Sequence, residues 1–109
     1  MSRRLCRLED LADPGAKGFS LRDDRAKVEI FVVRSQGEVR GYVNSCPHIG
    51  TPLDFLPDRF LTRDRTEILC STHGARFEIA TGLCLAGPCK GRALTGVPLA
   101  VDAGWVRLK

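Results

Sequence analysis

Val28-Glu29-Ile30-Phe31-Val32-Val33-Arg34-Ser35-Gln36-Gly37-Glu38-Val39-Arg40-Gly41-Tyr42-Val43 is the stretch that decides the fold class. Two runs rich in β-branched and aromatic residues flank a polar turn at Ser35–Gly37, and this predicts a β-hairpin. Outward along the chain the same pattern recurs in shorter pieces. Leu5 and Cys6 begin a first strand, and Glu67-Ile68-Leu69 reads as a strand that leads into Cys70. Phe77 and Ile79 alternate with Arg76 and Glu78, and Val97, Leu99 and Val101 repeat that period of two. Trp105-Val106-Arg107-Leu108 returns after a turn at Asp102–Gly104. No segment sustains helical periodicity over three turns, and Glu9–Ala12 is predicted to give one short helical turn at most. Many short strands at close spacing predict an all-β protein.

Residues 47–60 break the pattern. Pro47, Pro52 and Pro57 with Gly50 cannot sit in a strand ladder, because proline lacks the N–H that pairing needs. Irregular backbone carried by a rigid scaffold is where functional residues concentrate. Both histidines of the chain stand beside a cysteine there or in the matching loop, as Cys46-Pro47-His48 and as Cys70-Ser71-Thr72-His73. Each pair begins where a predicted strand ends, so adjacent strand ends can bring the two loops together. Thiolate and imidazole donors converging on one point suit zinc or an iron–sulfur centre. One intervening residue in Cys-x-His is tight for two ligands on a single ion. It suits a dinuclear centre better, where the two residues of a loop serve different metals. Zinc stays open as the rival reading on the residues alone.

The composition agrees with a small folded protein. The 109 residues are the size of one domain, 1–109; 43 % are hydrophobic and 28 % charged, and the formal net charge is +4. That mild basicity favours acidic partner surfaces. It does not make a nucleic-acid binder, since Arg3–Arg4 and Lys90/Arg92 are dispersed and lack interleaved aromatics. No apolar run is long enough to span a membrane. Charges in Leu5–Asp10, where an apolar segment should follow Arg3–Arg4, argue against twin-arginine export, and the expected location is cytoplasmic. Five cysteines, an odd number, argue against a disulfide framework and for thiols or metal ligands.

Cys46-Pro47-His48-Ile49-Gly50 and Cys70-Ser71-Thr72-His73-Gly74 resemble the two cluster-binding boxes, Cys-x-His and Cys-x-x-His, of the Rieske-type [2Fe–2S] proteins. The following Phe77…Thr81-Gly82…Gly87-Pro88…Leu94…Val97-Pro98-Leu99…Gly104-Trp105-Val106 is similar to the tail of the soluble Rieske ferredoxins. The resemblance implies the Rieske iron–sulfur fold: antiparallel β-sheets with a small cluster-binding subdomain at about residues 44–90. It implies one [2Fe–2S] cluster held by Cys46, His48, Cys70 and His73, with the cysteines on the inner iron and the histidines on the outer one. It implies a third, proline-bearing loop at Gly87-Pro88 that covers the cluster. Pro47 and Pro52 are expected to stiffen the first loop.

Departures from the family pattern refine these expectations. Thr51 and Thr72 occupy the positions where respiratory members carry a disulfide between the loops, so no such bond can form here. Ala75 and Phe77 replace the serine and tyrosine whose hydroxyls bond the cluster in high-potential members. Loss of donors to the sulfurs disfavours the reduced state and places the potential toward the low end of the roughly −150 to +300 mV Rieske range. Cys84 and Cys89, the latter expected near the cluster, are read as buried free thiols with a Cys84–Cys89 disulfide as the alternative, and Cys6 and Trp105 as core residues. The function implied is one-electron transfer, from a flavoprotein reductase to an oxygenase or related redox enzyme, by a protein that is not an enzyme alone. Two alternatives accompany it: a permanently docked subunit of a larger oxidoreductase, similar to the small subunit of nitrite reductases, and a structural zinc module for protein binding.

Overall fold

In the computed structural model, residues 3–22, 26–47, 50–54 and 56–109 are described. Among the described residues, ten strands and one 3₁₀ turn follow in chain order: β1 (Arg4–Arg7), the turn Leu8–Asp10, β2 (Gly15–Arg22), β3 (Lys27–Ser35), β4 (Glu38–Val43), β5 (Ile68–Leu69), β6 (Arg76–Phe77), β7 (Cys84–Ala86), β8 (Gly96–Val97), β9 (Leu99–Asp102) and β10 (Trp105–Leu108). They form three sheets, ordered β1-β10-β9, β2-β3-β4-β8 and β5-β6-β7. Every pairing among the described strands is antiparallel.

The hairpin read from the sequence forms the centre of the four-stranded sheet. Ser35 pairs with Glu38, leaving the two-residue turn Gln36-Gly37. Both turn residues have positive φ, 52° and 78°, as a type I′ turn requires to match the twist of the strands. The Asp13 carboxylate accepts hydrogen bonds from the Gln36 and Gly37 N–H groups, each at 2.9 Å, and so holds the tip of the hairpin. Ile30, Phe31, Val32 and Val33 are buried without interruption, because β3 is covered on both faces. Its even and odd residues enter different cores. Val32 joins Cys6, Leu11 and Val106 beneath the three-stranded sheet that carries both termini. Phe31 and Val33 join Tyr42, Cys46, Leu53, Phe60, Ile68, Cys70 and Phe77 on the other side.

That second core fixes the position of the irregular region. Residues 44–95 leave the four-stranded sheet at the end of β4 and return at β8, and they build the β5-β6-β7 sheet from their own strands. Phe60 stacks on Phe31 with ring centroids 4.4 Å apart and planes 8° from parallel. The Tyr42 hydroxyl donates to the Ile79 carbonyl at 2.6 Å. Both contacts tie the inserted segment to the main sheet, and burying a phenylalanine of this kind contributes about 1.5–3 kcal/mol.

Several details differ from the sequence reading. The β2 strand has no expectation behind it: Gly15 and Gly18 dilute its pattern. Ile79 lies in a turn after β6, and Pro98 divides the 97–101 stretch into β8 and β9. Trp105 is only half-buried and belongs to neither core; the Arg4 and Arg7 guanidinium groups lie over its ring, 4.7 and 5.0 Å from the centroid. Cys6 is a core residue, as expected.

Candidate metal centre

Cys46 follows β4 and Cys70 follows β5, so each sits at a strand end. The two turns that begin at these cysteines have one backbone design. The Cys46 N–H donates to the Thr51 carbonyl at 2.8 Å, and the Gly50 N–H donates back to the Cys46 carbonyl at 2.7 Å. In the second loop the Cys70 N–H donates to Ala75 at 2.8 Å and the Gly74 N–H to Cys70 at 3.0 Å. Gly50 and Gly74 have φ of 77° and 75°, left-handed values that glycine adopts at no steric cost. A third turn repeats the design without a cysteine: Glu78 N–H to Leu83 at 2.9 Å, Gly82 N–H to Glu78 at 2.8 Å, and Gly82 at φ 76°.

The loops are braced against one another. The Ser71 N–H donates to the Leu53 carbonyl at 2.9 Å, which joins second loop to first. Asn44 clamps the far end of the first loop: its side-chain oxygen accepts from the Leu53 N–H at 2.7 Å, and its amide donates to Asp54 at 2.9 Å. The segment carrying Gly87-Pro88 closes the arrangement. Arg92 Nη1 donates to the Pro47 carbonyl at 3.1 Å, and Gly87 packs so tightly on Ala75 that a Cβ there would lie 2.8 Å from the Ala75 Cα. The proline-bearing segment thus touches both cysteine loops.

Cys46 and Cys70 are both buried, and His73 is exposed. Burial pushes the Cys70 thiol up; the Thr72 and His73 N–H groups pull it down by hydrogen-bonding the thiolate, while the neighbouring Cys46 thiol adds to the rise. Cys89 is pushed up to about 12 by burial, then by Cys84 and by Cys46. Cys46, Cys70, Cys84 and Cys89 all lie in one buried core, with the Cys84 and Cys89 sulfurs 3.0 Å apart. Sequence reasoning placed the first two. It missed the Thr72 and His73 N–H groups, which no side-chain pattern reveals.

Of the four expected ligands, the structure brings Cys46 and Cys70 together and sets His73 on the exposed side of the second loop. His48 lies outside the described residues, and among those described no three His, Cys, Asp or Glu side chains are gathered as a metal site. The donor set still fits an iron–sulfur group. Two thiols are buried in one core, the Thr72 and His73 N–H groups are aimed at one of them, and the buried Thr51 hydroxyl lacks a hydrogen-bond partner. Hydrogen bonds to sulfur are what such clusters use to stabilise their charge.

Comparison with known proteins gives the same frame. A ferredoxin of Sphingomonas yanoikuyae B1 is 28 % identical, with 100 % of this chain and 98 % of that one covered and a TM-score of 0.74. The ferredoxin of carbazole 1,9a-dioxygenase from Nocardioides aromaticivorans IC177 is 25 % identical, covers 99 % and 96 %, and also scores 0.74. A complex of reduced oxygenase and oxidised ferredoxin in carbazole 1,9a-dioxygenase shares the fold at 20 % identity, 98 % and 91 % coverage and a TM-score of 0.75. No curated protein matches the chain. The family model for the Rieske [2Fe–2S] domain matches residues 3–101, taking in both cysteine turns and every strand from β1 to β8. With this all-β antiparallel architecture and these paired loops, the chain belongs to the Rieske [2Fe–2S] domain family, whose cofactor is a [2Fe–2S] cluster.

Proposed function

We propose that the chain is a one-electron carrier, with its cluster held by Cys46, His48, Cys70 and His73, and that it passes electrons from a flavoprotein reductase to an oxygenase or related redox enzyme. The observation that carries this reading is the asymmetry of the two matched turns: their cysteines are buried and His73 faces outward. When bound, the cluster takes up and releases single electrons. The chain's residues supply the rest. Cys46 and Cys70 anchor the inner side within the buried core that also holds Leu53, Phe77 and Leu94, and the Thr72 and His73 N–H groups favour thiolate at Cys70. Exposed His73 stands on the outward edge through which an electron would reach a partner.

Charge supports a diffusing carrier. Two ferric ions, two sulfides and two thiolates are together neutral, so the oxidised protein keeps about its formal +4 and loses one unit on reduction. A modest field of this kind speeds encounter with an acidic surface and leaves dissociation fast. Exposed Lys90 and Arg92 stand on the segment that touches both cysteine loops. The Nocardioides ferredoxin is that of carbazole 1,9a-dioxygenase, which favours an oxygenase as acceptor.

The test is anaerobic purification followed by iron and acid-labile sulfide analysis and EPR of the reduced protein. The expected result is equal iron and sulfide with a Rieske-type signal, lost in Cys70→Ser and His73→Ala. Colourless protein with neither iron nor sulfide would refute the reading. A reductive titration is expected to follow a single one-electron step, and a two-electron step would exclude the carrier role.

A further inference from the structure

Two buried cysteines in the same core as Cys46 and Cys70, Cys84 and Cys89, have no part in the proposed ligand set. The Cys89 thiol donates to the Cys84 sulfur at 3.0 Å, and the Cys84 thiol donates to the Ala86 carbonyl at 3.2 Å. Both side chains are 2 % exposed, whereas Leu85, Gly87, Pro88, Lys90, Gly91 and Arg92 around them are exposed. The backbone between the two cysteines is already closed on itself. The Gly91 N–H donates to the Cys84 carbonyl at 3.3 Å, the Arg92 N–H to Cys89 at 2.9 Å and the Cys84 N–H to Arg92 at 2.7 Å.

We propose that Cys84 and Cys89 are a reversible thiol–disulfide site, oxidised by a low-molecular-weight disulfide of the glutathione class, on the segment that covers the cysteine loops. A bonded pair of sulfurs stands about 2.05 Å apart, so the change from 3.0 Å is met by side-chain movement inside a loop whose backbone bonds stay in place. The chemistry is two exchanges. One protein thiolate attacks the small disulfide, forming a mixed disulfide and releasing one small thiol; the second protein thiol then attacks the mixed disulfide and releases the other. Two protein thiols are oxidised, one small disulfide is reduced to two thiols, and the two protons pass to the released thiolates. Burial makes this exchange slow, because the loop has to open to admit the reagent.

This pair is distinct from the loop-to-loop positions Thr51 and Thr72. Cys89 also lies in the same buried core as Cys46, and only its link to the cluster rests on the ligand reading. The experiment equilibrates anaerobic holoprotein with reduced and oxidised glutathione at a series of ratios. Free thiols are then blocked with an alkylating agent under denaturing conditions, and the tryptic peptide 77–90, which holds both cysteines, is weighed. On the oxidising side the peptide is expected to lose both alkyl groups and become lighter by two hydrogens, and dithiothreitol is expected to reverse this. In Cys89→Ser, Cys84 is expected to carry an alkyl group or glutathione, with no loss of hydrogens. Full alkylation at every ratio would overturn the proposal, as would Cys89 appearing in a bond to Cys46. Failure of the cluster reading would show instead as missing iron and sulfide, with the peptide result unchanged.

Discussion

Replacing Gly87 by alanine tests how tightly the covering segment is seated. Gly87 has φ of 102°, and an added Cβ would lie 2.8 Å from the Ala75 Cα, 3.2 Å from its Cβ and 3.3 Å from its nitrogen. Comfortable carbon contacts begin near 3.5 Å, and the atoms met are mostly backbone, which cannot swing aside. The forbidden φ costs about 1–3 kcal/mol and the overpacking a further ~1–3 kcal/mol. Reduced freedom of the unfolded chain returns about 0.4–1 kcal/mol. The net expectation is a loss of about 3 kcal/mol. With a urea slope of about 1–2 kcal/mol per molar for a small protein, the unfolding midpoint of the anaerobic holoprotein, followed by Trp105 fluorescence, falls by roughly 2 M. Gly91→Ala is the control, because Gly91 has φ of 93° with no atom within 4 Å of the added Cβ. It carries the backbone cost alone and is expected to lose about half as much. Equal losses in the two variants would refute the reasoning, since the contact with Ala75 would then contribute nothing.

Three further changes probe other parts of the structure. Tyr42→Phe removes the 2.6 Å bond to the Ile79 carbonyl and should cost about 1–2 kcal/mol in urea unfolding. Burial raises the Tyr42 phenol above its ordinary value, so its contribution is full below pH about 10 and is lost as pH rises through the raised value; the variant should show a flatter alkaline limb. Phe60→Ala empties a fully buried site stacked on Phe31, and a loss of about 3–5 kcal/mol is expected; a midpoint unchanged within error would contradict the two-sided core. Ala75→Ser restores a hydroxyl beside the second loop. A hydrogen bond of about 1–3 kcal/mol to a charged group should raise the midpoint potential by roughly 50–130 mV, at about 59 mV per tenfold for one electron, and voltammetry showing no rise would exclude a hydroxyl-to-cluster bond there.

The main hairpin and the cysteine–histidine pairs were legible because their signals are local. Val28–Val43 carries strand residues on both sides of a turn whose chemistry is specific, and a motif such as Cys-x-His stands out at any position. Strand β2 was not legible. Its Gly18 lies beneath the Phe60 ring, where a Cβ would come within 3.3 Å, so a long-range contact sets its composition and no local alternation survives. Ile79 follows the period of two, yet the turn closed by Gly82 takes it out of the sheet. Trp105 is held by Arg4 and Arg7 from the neighbouring strand, a partnership that becomes visible only once β1 and β10 are paired. The Cys84–Cys89 contact depends on a loop closure that spacing alone does not give.

Because three turns share a design and one of them begins with Glu78, the placement of each cysteine is written in main-chain bonding and a single left-handed glycine. Residues such as Pro47, Ser71 and Thr72 are then free to vary without moving the sulfur. A lineage could therefore retune the outward rim of such a protein while its inner anchor stays fixed.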